Sequence, residues 1–256
     1  MTITFAGRIA SNGLTGYGQE TGNASGLTLV ADPTGAAGNV LRAHMAQGDA
    51  LAGGSYRSEV STYSIRAAIG SRAWYWFETY IPEDWIPDSK LATIWQVHDI
   101  ADGGDNSARK PPFECLIDGS ELEFVSAAAT GDADDTPVYR EALWKMPLVT
   151  GRWIQWVLRA DWNYTTGGAL RIWRDRRMVY NESGFRNCYN DVLGLYPKLG
   201  VYVPLGLSAA APSRTVYHKG VVTGDNAYST FDAFMAAAGS TDTELESVFT
   251  GALAAA

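Results

Sequence analysis

Cysteine and histidine are scarce in this chain. Two cysteines, Cys115 and Cys188, allow at most one internal disulfide, and their spacing leaves open whether it forms. The three histidines, His44, His98 and His218, are too scattered to make a zinc site of recognisable spacing. No stretch reaches the roughly 18 consecutive apolar residues of a membrane-spanning helix. No Gly-x-Ser-x-Gly elbow and no phosphate-binding loop occur, which removes two common catalytic frameworks. Positive charge is short as well: 20 Lys and Arg stand against 28 Asp and Glu, a formal charge of −8. Phosphate neutralisation favours a basic surface, so nucleic acid is not expected as a partner. Long Gly, Ser or Pro linkers are missing too, and 256 residues suit one large β domain.

What the chain does hold is apolar and aromatic mass. Hydrophobic residues make up 46%, enough for a real core. Short runs rich in β-branched and aromatic residues read as strands: 74–81, 92–97, 113–117, 122–126, 153–161, 169–174 and 198–203. Turn formers separate them, among them Asp118-Gly119, Thr166-Gly167-Gly168 and Asp175-Arg176-Arg177. Helix is expected only in short pieces, with 230–238 the best candidate because Phe231, Phe234 and Met235 recur at helical spacing. The fold class is therefore all-β, a sandwich or barrel. The arginines of 152–177 are expected on a solvated strand face, and most of the nine Trp in the core.

Three strings carry the chemistry: Arg57-Ser58-Glu59, Gln96-Val97-His98, and Tyr196-Pro197-Lys198-Leu199-Gly200-Val201-Tyr202. Arg57 and Glu59, Gln96 and His98, and Lys198 and Tyr202 each sit an even number of residues apart, so each pair shares one face of an extended strand. Breaking a 4-linked uronic acid by elimination requires removing the proton on carbon 5 and protonating the oxygen that leaves carbon 4. The adjacent carboxylate must be neutralised, and a base and an acid supplied. Arginine can hold a carboxylate bidentately, glutamate can orient that cation, and tyrosine can serve as acid or, beside a cation, as base.

In identity and chain order, these strings resemble the motif strands of the jelly-roll polysaccharide lyases, the group of alginate, glucuronan and heparin I-type lyases. Pro111-Pro112-Phe113 and Gly151-Arg152-Trp153 resemble its glucuronan and heparin side. The resemblance covers about residues 5–225, leaving 226–256 as a C-terminal extension of a single lyase domain. It implies a β-jelly roll of two curved antiparallel sheets with a concave groove. By carry-over, Gln96, Arg57 and His98 contact or neutralise the substrate carboxylate, and Tyr202 protonates the leaving oxygen. Lys198 binds substrate and lowers the pKa of Tyr202, while Glu59, Tyr196, Arg109 and Lys110 join substrate binding. Where the two reacting groups lie on one side of the ring, as in glucuronate or mannuronate, Tyr202 serves as both base and acid; in guluronate His98 becomes the base. Pro197, Leu199 and Val60-Ser61-Thr62 depart from the alginate-lyase pattern and suggest a different pocket shape, placing a glucuronate polymer ahead of alginate.

Two other classes stay open at this stage. A carbohydrate-binding module, or a receptor-binding depolymerase of a phage tail, could use the same scaffold. A jelly-roll glycoside hydrolase would need opposed carboxylates, for which Glu114, Asp118 and Glu121 are the candidates. The expected partner is an anionic polysaccharide and the expected state a monomer, with no membrane association. Action outside the cell is expected although no leader is visible. No cofactor is required for the chemistry; structural calcium at Asp132, Asp134 and Asp135 is not indicated, because their spacing matches no calcium loop. His218 is expected on a solvated loop.

Overall fold

Along Arg72–Tyr80 successive side chains alternate between two apolar environments: Tyr75 and Phe77 enter the central core, Trp74 and Trp76 a second cluster on the opposite face. A strand apolar on both faces belongs inside a sheet covered from both sides. The computed structural model describes residues 2–105, 109–129 and 138–239. Its elements are β1 (Ile3–Arg8), α1 (Ile9–Asn12), β2 (Gly18–Thr21), β3 (Leu27–Ala31), β4 (Asn39–Ala46), β5 (Tyr56–Ser61), β6 (Arg72–Tyr80) and β7 (Ala92–Asp99). They continue as β8 (Phe113–Asp118), β9 (Glu121–Ala128), β10 (Val138–Pro147), β11 (Trp153–Asp161), β12 (Gly168–Arg174), β13 (Arg177–Phe185), β14 (Leu195–Val203), β15 (Ser213–Gly224) and α2 (Phe231–Gly239).

An eight-stranded sheet runs β13-β12-β11-β6-β15-β4-β3, with β1 on β15, and a seven-stranded sheet runs β10-β9-β8-β7-β14-β5-β2. The pairings are antiparallel, and the main core lies between the sheets: a β-sandwich jelly roll, as expected. Phe77, Trp95, Phe113, Phe124 and Trp156 fill its centre. Cys115 and Cys188 are buried there as free thiols, so no disulfide joins them. The β12–β13 hairpin closes on Asp175 and Arg176, both at positive φ (47° and 66°), the geometry of a type I′ turn. Arg159 and Arg171 lie half-buried on the eight-stranded sheet beside Asp161, and the exposed Arg152, just before β11, pairs with Asp175, so the expected solvated face is only partly solvated. Asp132, Asp134 and Asp135 lie outside the described residues.

Residues 226–239 do not trail away from the sandwich. Thr230 Oγ1 accepts from the Ala233 amide at 3.2 Å and caps α2. The helix then lays Phe234 on Trp74, with ring centroids 5.3 Å apart, and Phe231 on Trp173 at 5.0 Å. It thus covers the outer side of β6, β11 and β12, where Trp74, Trp76, Val157 and Trp173 would otherwise face water. Phe234→Ala is expected to destabilise the protein by about 3–5 kcal/mol in chemical denaturation, from lost burial and the cavity left behind. A loss under about 1 kcal/mol would show that the sandwich is complete without α2.

Candidate active site

The seven-stranded sheet turns Val60, Trp95, Val97, Leu199 and Val201 into the core, so alternation sends Arg57, Glu59, Gln96, His98, Tyr196, Lys198 and Tyr202 to its open face. Register then joins the three strings. Tyr202 lies opposite Arg57, Gly200 opposite Glu59, Lys198 opposite Gln96, and Tyr196 opposite His98. On the far side of β5, Glu20 of β2 lies opposite Glu59.

Glu59 is the hub, only 1% exposed. Gln96 Nε2 donates to its Oε1 at 2.6 Å, Lys198 Nζ lies 3.2 Å from its Oε2, and Arg57 Nη1 is 3.9 Å away. Glu20 closes a second bridge: its Oε2 accepts from Arg57 Nη1 at 2.7 Å and from Lys198 Nζ at 3.0 Å. Partial burial works to raise the Glu20 carboxyl, but Lys198 and Arg57 outweigh it and hold the group below the ordinary range. Lys198 is therefore buried between two glutamates. The cation at Tyr202 is Arg57, whose guanidinium sits 4.6 Å from the ring centroid.

His98 is held by a chain of its own. Its Nδ1 donates to the Asp99 carbonyl at 2.7 Å, so the neutral ring carries its lone pair on Nε2. Burial works to lower the imidazole pKa, yet bonds and charge from Asp99 outweigh it and raise the group above its usual value, with Lys198 opposing. Arg109 Nε donates to the buried Asp99 carboxylate at 2.7 Å, and its other nitrogens bind Asp105 and Asp191. Arg109 was expected at the substrate. Its donors are instead committed to three carboxylates, and it acts on His98 through Asp99. Asp191 is pushed up to about 6 by burial, with like charge from Asp99 and Asp102 adding to the effect. The carboxylates of Asp102, Asp105 and Asp191 come within 4.8 Å of one another, and Arg109 already supplies their counter-charge.

Tyr196 is buried and stacks on His98, with centroids 5.8 Å apart; desolvation, with Glu20, Asp99 and Glu59 adding, pushes its phenol up. Lys110 is exposed on the loop before β8. Glu114 lies opposite Gln96, buried and accepting from Thr93 Oγ1 at 3.1 Å, and burial raises its carboxyl pKa. Asp118 and Glu121 pair across the β8–β9 hairpin end, so the three acids do not form opposed catalytic carboxylates. Pro197 and Thr62 are buried, and Leu199 and Val60 point into the core, so these departures from the alginate pattern concern packing, while Ser61 lies opposite Lys198 on the face of Glu59. Glu20, Asp99, Asp105 and Asp191 went unread in the sequence. Only Asp99, adjoining His98, offered a signal there.

Beneath this face lies a correction. His218 is not on a solvated loop but fully buried in β15, and its Nε2 donates to the Gly200 carbonyl at 3.3 Å. Burial lowers its pKa to about 4, keeping it neutral. Gly200, at φ +147°, sits where β14 bulges against β7, and an added Cβ would lie 2.1 Å from the Ser58 carbonyl oxygen. Only glycine fits there.

A model of the polysaccharide lyase family matches residues 9–222. The chain belongs to that family. It is an enzyme, a lyase, rather than the binding module or hydrolase that the sequence left open. Among solved structures, the endo-β-1,4-glucuronan lyase of the fungus Trichoderma reesei matches with a TM-score of 0.71 at 19% identity, over 87% of this chain and 95% of that one. The family 7 alginate lyase AlgAT5 gives 0.53 at 11%, over 83% and 95%. The marine PL-14 alginate lyase of Aplysia kurodai gives 0.57 at 10%, over 88% and 100%. A search of curated proteins finds no match. At these identities the structural likeness concerns the fold. Among the described residues no helix is long and apolar enough to cross a membrane.

NMR titration checks the His98 arrangement. The ring of this lyase is expected to titrate above the ordinary imidazole value, and Asp99→Asn to bring it down. Titration at or below the ordinary value in the unmodified protein would contradict it.

Proposed function

We propose that the enzyme cleaves a 4-linked, glucuronate-containing polysaccharide by β-elimination on the open face of the seven-stranded sheet, outside the cell. The observation that carries this reading is the joining of Arg57, Gln96 and Tyr202 on three adjacent strands, with Gln96 fixed by the buried Glu59 and Arg57 by Glu20. That arrangement pre-positions the donors before substrate arrives, so little reorganisation opposes the reaction. Arg57 and Gln96 bind the uronate carboxylate and stabilise the charge that builds on it as the carbon 5 proton leaves. Tyr202 removes that proton and returns one to the oxygen leaving carbon 4, which suits glucuronate, where both lie on one side of the ring. Lys198 holds Glu59 and Glu20 in place. The syn stereochemistry that suits a single tyrosine is shared by glucuronate and by the mannuronate of alginate, and the fold likeness to a glucuronan lyase supports placing a glucuronate polymer ahead.

His98 contributes as a cation beside the carboxylate, Nε2 outward. Its charge is present below its raised pKa and lost above it, so on a glucuronate polymer kcat/KM is expected to fall as pH rises through that value. A rise through the same value would make neutral His98 the base and move the substrate to guluronate stereochemistry.

Tyr202→Phe is expected to lower kcat by about 10³-fold or more, read as ultraviolet absorbance of the unsaturated uronate, with KM changed by less than about threefold. A loss confined to KM would make Tyr202 a binding residue and remove the proposed acid.

A further inference from the structure

The charge on the open face limits how many carboxylates it can accept. Among the described side chains of its seven strands the lysines and arginines are Arg57, Lys198 and Lys145, each already paired, and His98 adds a cation only below its raised pKa. Arg57 and Lys198 share Glu20, and Lys198 also meets Glu59. Lys145 meets Glu123 and Glu121. With Glu114, five glutamates share the face with these three lysines and arginines. The exposed Lys110 and Arg66 stand on flanking loops, and Arg66 spends two donors on the carbonyls of Tyr63 and Leu193. The side chain of Glu20 is 41% exposed, its carboxylate standing beside Arg57 where a substrate carboxylate would approach. None of the nine tryptophans lies on this face: Trp74, Trp76 and Trp173 are under α2, Trp153 is on the outer side of the eight-stranded sheet, and the rest belong to or pack on the core. Among the described side chains its aromatic surface is made by Tyr196 and Tyr202, with the exposed Tyr63 of the flanking loop edge-on against Tyr196.

A homopolyuronate brings a carboxylate on every sugar. On this face one of them meets Arg57 and Gln96, while its neighbours would be laid against glutamates, and like-charge juxtaposition weakens such a fit. Uncharged sugars carry no such penalty. Resting on the glucuronate reading above, we infer that the substrate is a sparsely charged heteroglycan, in which the glucuronate that is cleaved is flanked by neutral sugars. Glu20 is the residue that selects against a second carboxylate.

The test compares rates of unsaturated-product formation by the full chain on three polymers: β-1,4-glucuronan, alginate, and a bacterial exopolysaccharide whose repeat holds one 4-linked glucuronate among neutral hexoses. The expected kcat/KM on the exopolysaccharide exceeds that on glucuronan by about tenfold, and its KM moves less than about threefold between low and high salt, because few charges are screened. Glu20→Gln is expected to raise kcat/KM on glucuronan by about fivefold, since it removes one repelling charge. Preference for glucuronan, with no gain from Glu20→Gln, overturns the inference and leaves glucuronate elimination standing. Product from alginate alone overturns the glucuronate reading as well. No product from any of the three overturns both.

Discussion

A single buried carboxylate organises the open face of the seven-stranded sheet. Glu59 has almost no contact with solvent, and a charge so placed persists only when paired and hydrogen-bonded. Its partners come from three different strands: Gln96 from β7, Lys198 from β14 and Arg57 from β5. Removing one member of such a group leaves an uncompensated buried charge, which typically costs about 3–5 kcal/mol. The network is thus a register lock as well as a catalytic support. A slip by one residue would turn Val60, Leu199 and Trp95 outward and bury the charged set without partners.

The rest of the molecule supports that lock from behind. The eight-stranded sheet, faced on its outer side by α2, presses an aromatic core against β7 and β14. His218 reaches from that sheet to the carbonyl of Gly200, where the bulge in β14 lets the chain pass close to Ser58. Sideways support comes from Asp99, whose carbonyl accepts from His98 Nδ1 and whose carboxylate is held by Arg109. The groups proposed to meet substrate therefore sit on regular strands and are held by neighbouring side chains, which is the arrangement precise chemistry requires.

Much of this was legible from the chain because strand periodicity is a local property. The even spacing of Arg57 with Glu59, Gln96 with His98, and Lys198 with Tyr202 placed each pair on one face, and the face is the one observed. Pairing between strings was not local, so the partners of each charge were hidden. Lys198 was read beside Tyr202 because both lie on β14, yet β2 delivers Glu20 to it from 178 residues away. Arg109 looked like a substrate ligand because Asp191, one of its three carboxylates, is brought to it from 82 residues away. His218 looked exposed because it adjoins Lys219; burial of alternate residues in β15 was the missing information. The departures at Pro197 and Leu199 were assigned to the pocket for the same reason, since sequence shows that a residue differs but not which way it points.

Elimination at this face is the central claim, and the masses of the released fragments test it most directly. Digestion of a glucuronate-containing polymer should yield fragments whose new non-reducing ends are lighter by one water than those of hydrolysis, with no water gained per cleavage. Fragments that each gain a water would contradict the account and assign the chemistry to hydrolysis. An uncut polymer that the protein still binds would contradict it as well, leaving recognition without cleavage.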